Sequence, residues 1–215
     1  MSLFELVTWT HVIAGTIGLI TGLIGMISAK GKKLHRSSGK IFFFAMLMVF
    51  ISSVYMSIVK NNIFLLLIGF FSIYLTSTGY RILSLKQLSV KPIKPKPVDY
   101  LLGIVGILAG CSMYCLSVLY FSKGSMFGIV LLLFGTVALS LGYIDLKMFK
   151  KPPSKKTFWL SSHALRMGGA FTATVTAFTV VNIQIQQQWI LWILPSIIII
   201  PLTRQMLKRF LSPIK

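Results

Sequence analysis

Three histidines and three carboxylates are the chain's whole inventory of imidazole and acidic side chains that could relay a proton, serve as a general base or ligate a metal: His11, His35, His163, Glu5, Asp99 and Asp145. They do not compose a hydrolytic centre. Metal hydrolysis wants histidines and carboxylates at ligand spacing, and no H-E-x-x-H, G-x-S-x-G or phosphate-binding loop is present. The sequence therefore leaves enzymatic activity undecided and leans against it. Its spacing offers anion or haem-ligand chemistry instead. His163, Arg166 and Met167 fall at i, i+3 and i+4 and share one helix face. His35 is followed directly by Arg36. A guanidinium presents a planar fork to carboxylate or phosphate, so His35, Arg36, His163 and Arg166 form the candidate ligand-binding cluster. His35 and His163 are also the candidate axial ligands of a haem, with Met167 as a further one. No other metal site is indicated, because Cys111 and Cys115, one turn apart near Met113, read as apolar packing and not as a Cu(I) site. His11, Asp99 and Asp145 are intramembrane polar groups, each a candidate for a relay or for a helix contact.

These residues are set in a chain built for a membrane. Of its 215 residues, 55% are hydrophobic and 12% charged, with a mean hydropathy of +0.84; soluble domains carry roughly 25% charged residues. Seven apolar stretches approach the roughly 20 residues that an α-helix needs to cross about 30 Å of hydrocarbon. They cover residues 3–28, 41–59, 63–81, 100–121, 126–144, 158–181 and 189–202. The expected fold is all-α, a polytopic bundle of about seven transmembrane helices forming a single domain over residues 1–215. Its last span is short and carries Pro195 and Pro201, either of which could kink it.

The cations set the orientation. Lys30, Lys32, Lys33, Arg36 and Lys40 follow the first span, and further clusters follow the third, the fifth and the seventh. Of the 22 lysines and arginines, all but Lys60, Lys123 and Arg166 fall on that one side. The positive-inside rule makes it cytoplasmic, with the N-terminus outside and the C-terminus inside a bacterial inner membrane. The first span is expected to persist as a helix, because it carries Glu5 where a cleavable leader would carry positive charge. A net charge of +19 in short juxtamembrane loops points to anionic lipid headgroups, at about 1 kcal/mol per cation. It does not point to nucleic acid, which needs basic residues and aromatic platforms on a folded surface. A membrane-protein partner or a second copy of the chain are the other expected companions. A basic, proline-rich cytoplasmic loop at about residues 86–98 separates three spans from four.

Inside lipid, helices associate by close packing through small residues. The first span has Gly15, Gly18, Gly22 and Gly25 on one face, with His11 one turn earlier and Thr8 and Thr10 nearby. His11 lies about 25 Å from the basic end of that helix at 1.5 Å per residue, too far to join the other histidines. Asp99 precedes Gly103, Gly106 and Gly110, and Asp145 follows Gly128, Gly135 and Gly142. Asp99 suits the positive end of a helix dipole, and either acid could pair with loop cations. Arg166 is expected either to snorkel to the interface or to meet an anion beside His163. Ser37 or Ser38 is expected to cap the second helix near Gly39.

The combination of His11 before a glycine ridge, His35-Arg36-x-x-Gly39 ahead of the second span and His163-x-x-Arg166-Met167 late in the chain resembles a family of small bacterial multi-pass membrane proteins of unknown function. The resemblance implies that architecture over most of the chain and marks those seven residues as the family's characteristic positions. It implies no activity. A looser similarity to di-haem membrane cytochromes fails on number, since two haems held by histidine pairs need more than the three histidines present. One haem between His35 and His163 requires the segment after the first span to fold inward.

The function classes that remain are ordered by what each must explain. A structural or assembly subunit accounts for every polar group as a helix contact and stands first. A transporter or binder of a small anionic ligand or lipid headgroup at the His/Arg cluster is the alternative. A haem- or quinone-binding redox subunit is the third.

Overall fold

The computed structural model describes residues 1–91 and 93–212. Its helices are α1 (Leu3–Ile27), α2 (Lys33–Val59), α3 (Ile63–Arg81), α4 (Pro97–Ser122), α5 (Phe127–Lys147), α6 (Phe158–Asn182) and α7 (Gln188–Leu211), with a 3-10 turn at Ile82–Leu85 extending α3. All seven are long and apolar enough to cross a membrane, and no strand occurs among the described residues. The protein is an all-helical, multi-pass membrane protein.

Two boundaries differ from expectation for one physical reason. Hydropathy marks where a helix leaves hydrocarbon, and the backbone ladder continues into the interface. α2 begins at Lys33, with no side-chain cap, so His35 and Arg36 lie on its first turns and not in a loop. Ser38 does not cap it; its Oγ donates to the carbonyls of Leu34 at 2.9 Å and His35 at 3.2 Å. Gly31, at φ 76°, turns the chain between α1 and α2, in the left-handed region that glycine enters without steric cost. α7 runs on to Leu211 through Arg204, Lys208 and Arg209, with Pro195 and Pro201 inside it. Prolines are tolerated in membrane helices where neighbouring groups re-satisfy the freed backbone.

α3 is the hub, packed against α2, α4 and α6, while α1 pairs with α2, α4 with α5, and α6 with α7. α6 also meets α1. The core runs through Phe42, Met46, Phe71, Tyr74, Met113, Leu131 and Phe171, with Phe71 stacked on Phe134 at 5.3 Å. Opposite the basic end, Phe64 meets Trp192 edge-on at 4.8 Å and Phe127 at 5.6 Å. Large apolar side chains such as Ile13, Ile20, Leu101, Leu108, Ile197 and Ile198 are exposed, which forms the surface that lipid covers. α4 and α5 approach backbone to backbone. A Cβ placed on Gly142 of α5 would come within 2.9 Å of the Ile107 nitrogen and 3.0 Å of the Gly103 oxygen on α4.

Candidate functional site

The hairpin of α1 and α2 and the α3–α6 contact bring two of the three histidines together at the basic end. His35 on α2 places Nδ1 2.9 Å from the Gly25 carbonyl of α1. His163 on α6 places Nδ1 2.8 Å from the Gly79 carbonyl of α3. Both carbonyls belong to the last turns of their helices, where intrahelical partners run out. A carbonyl only accepts, so each Nδ1 carries the proton, and Nε2 holds the lone pair of the neutral ring. The two ring centroids are 6.2 Å apart with planes at 83°.

Both rings line a cavity of about 760 Å³ among α1, α2, α3, α6 and α7. Its wall is apolar, with Met26, Phe42, Leu160, Phe171, Leu207 and Phe210, and its rim carries Lys30, Arg36, Lys40 and Lys86. No carboxylate lines it among the described residues. The Lys86 ammonium sits 4.9 Å from the centre of the Trp159 ring, a cation–π contact. Lys30 donates to the Gly25 carbonyl at 3.1 Å and to that of Met26, where the negative end of the α1 dipole favours a cation. Burial pulls the Lys30 ammonium below its ordinary range. Met167, four residues beyond His163, also lines the cavity.

Arg166, expected beside His163, turns away into the bundle. It is 3% exposed, and its fork closes on Asp145 of α5, Nη1 to Oδ2 at 2.8 Å and Nη2 to Oδ1 at 2.7 Å. The Tyr74 hydroxyl of α3 donates to the same Oδ2 at 2.6 Å. Arg166 therefore neither snorkels to the interface nor lines the cavity, and Asp145 pairs with an intramembrane partner instead of a loop cation. Within this cluster, among the described residues, the Arg166 Nε is left without a partner. Asp99 makes a second two-point pair, with Arg81 at the end of α3 (2.7 and 2.8 Å), and accepts the Lys96 backbone N–H at 2.7 Å. It thus caps the start of α4 as the dipole reading anticipates. A void of about 10 Å³ lies between the two pairs, lined by Thr78, Asp99 and Asp145. His11 is remote from all of this, with Nδ1 2.9 Å from Ser52 Oγ on α2, while Thr8 and Thr10 bond to carbonyls of their own helix.

Sequence reasoning passes over Tyr74 and Trp159 and counts Lys30 and Lys86 only among the basic cations between spans. For Tyr74 a signal exists: a tyrosine hydroxyl in an apolar span needs a partner. For the rim it does not, since a loop lysine over a cavity reads like any other loop lysine.

No curated protein and no solved structure matches the chain. The family likeness extends over less of the chain than the motifs suggest, for it takes in His11, His35, Arg36 and Gly39 but not α6 with His163, Arg166 and Met167. Residues 8–94, which hold most of α1 and all of α2 and α3, match the model of a family described as a predicted membrane protein (DUF2306), a family of unknown function.

Proposed function

We propose that the protein binds an amphiphilic anion in the basic-face cavity, its apolar body among α1, α2, α6 and α7 and its acidic group at the cationic rim. One observation carries this reading: an apolar cavity of about 760 Å³ whose rim offers four cations and, among the described residues, no carboxylate. Sites for drug- or cofactor-sized ligands span about 300–1,000 Å³ and combine apolar walls with a few convergent polar groups. A purely structural subunit would have no use for such a volume beside two histidines whose Nε2 atoms make no hydrogen bond to the described protein. The cation asymmetry supports a cytoplasmic opening in a bacterial inner membrane, where headgroups of anionic lipids are neighbours at the rim.

The test is thermal unfolding in neutral detergent with oleate and, separately, oleyl alcohol, which has the same chain without the charge. Oleate at 100 times its dissociation constant should stabilise the parent by about 2.7 kcal/mol, and the alcohol should do much less. Arg36→Ala combined with Lys86→Ala changes two exposed rim residues and should remove most of the oleate effect. Equal stabilisation by both compounds, or by oleate in parent and variant alike, would overturn the proposal.

A further inference from the structure

We infer that His35 and His163 are the two axial ligands of one iron porphyrin seated in this cavity, its carboxylates at the cationic rim. The inference names the chemical class of the amphiphilic anion and rests on that reading.

The distance is the first argument. A metal–imidazole bond of about 2.0 Å, with roughly 1.2 Å more to the ring centre, separates two imidazoles on opposite sides of one metal by roughly 6.3 Å. The observed separation is 6.2 Å. The 83° angle between the planes is compatible with ligation, because two axial imidazoles need share only the nitrogen–metal axis and not a common plane.

The second argument is how the rings are held. Neither depends on the other: one Nδ1 is tied to Gly25 on α1 and the other to Gly79 on α3. A ligating histidine almost always donates its remaining N–H to a carbonyl or carboxylate, which fixes the tautomer and orients the ring. Neither Nε2 is among the sealed polar atoms that lack a partner, and both residues line the cavity, so each ring keeps an unsealed nitrogen free of protein hydrogen bonds in a residue of the cavity wall.

The third argument is the donor count. A bare metal ion would need more ligands, and no group of three or more His, Cys, Asp or Glu side chains stands together among the described residues. Met167 does not complete one, because its sulfur packs on α3, 3.0 Å from where a Gly79 Cβ would stand. A porphyrin brings its own equatorial nitrogens, so two protein ligands suffice. A quinone would accept hydrogen bonds from histidine, but it carries no acid to meet Lys30, Arg36, Lys40 and Lys86.

The experiment is a titration of haemin into the detergent-purified full chain, followed by absorption and electron paramagnetic resonance. One haemin per chain should give a six-coordinate, low-spin spectrum, with the high-g ferric signal expected of imidazole planes near a right angle. Dithionite should then bring up sharp alpha and beta bands. His35→Ala and His163→Ala should each lose the low-spin spectrum and bind haemin roughly 100-fold more weakly. His163→Gly guards against misfolding, since added imidazole should restore its low-spin spectrum. A low-spin spectrum unchanged in both alanine variants, or a parent that binds haemin without one, overturns the inference. If oleate still stabilises that parent through the rim cations, the haem inference falls alone; if it does not, the binding reading falls with it.

Discussion

Replacing Arg166 by Met should lower the stability of the detergent-solubilised protein by about 3–5 kcal/mol, the loss typical of breaking one partner out of a buried ion pair. Asp145 would keep the Tyr74 hydroxyl and lose both guanidinium bonds, leaving a carboxylate in an apolar bundle with no opposing charge. Removing both charges, as Arg166→Met with Asp145→Leu, should recover most of that loss, since well-packed apolar replacements of a buried pair are often neutral or stabilising. Arg166→Lys should fall between, because a point charge cannot span two carboxylate oxygens in a fork. Thermal unfolding of the parent, Arg166→Met, Asp145→Leu and the double variant gives the coupling energy directly. Losses in the single variants that simply add in the double one would show that the pair is not coupled.

The second large effect should come from a residue with no side chain. Gly142→Leu meets only backbone, the Ile107 nitrogen at 2.9 Å and the Gly103 oxygen at 3.0 Å, and no flexible side chain can yield. α4 and α5 must separate, at about 3 kcal/mol, the upper end of overpacking costs. The shift should spread, because Gly106 on α4 lies over the Tyr74 ring, which would stand 2.7 Å from a Cβ there, and Tyr74 holds Asp145. Gly15→Leu is the control. Nothing lies within 4 Å of a Cβ at Gly15, so leucine there should be neutral or slightly stabilising, as its helix propensity exceeds that of glycine by nearly 1 kcal/mol. Equal unfolding temperatures for the two variants would contradict the backbone-contact account.

The spans and the basic side were legible because lipid imposes them: apolar runs of helical length and a one-sided distribution of lysine and arginine need no tertiary information. The start of α2 and the end of α7 were not, since a helix in the interface has lost its hydropathy signal while keeping its backbone ladder. His35 and His163 could be assigned to one end of the bundle from sequence, but their separation depends on α1 and α3 supplying carbonyls, and no local pattern reports that. Arg166 misled for a related reason. Its face neighbours on α6 are His163 and Met167, yet its partner comes from another helix, 21 positions away. An arginine in a span carries no mark that distinguishes an internal pair from a cation awaiting an anion.

The sealing of the acids shapes the protein's exterior. Asp99 and Asp145 are each 4% exposed and occupied by arginine, while Glu5 caps α1 at the opposite end. The basic end therefore presents, among the described residues, lysines and arginines with no accessible carboxylate to fold their field back. The potential reaches into solution over the ionic screening length, about 8 Å at physiological salt and about 30 Å at 0.01 M. On the proposed reading, anions should gather at the cavity mouth before any contact forms, and their rate of capture should fall as added salt shortens that reach.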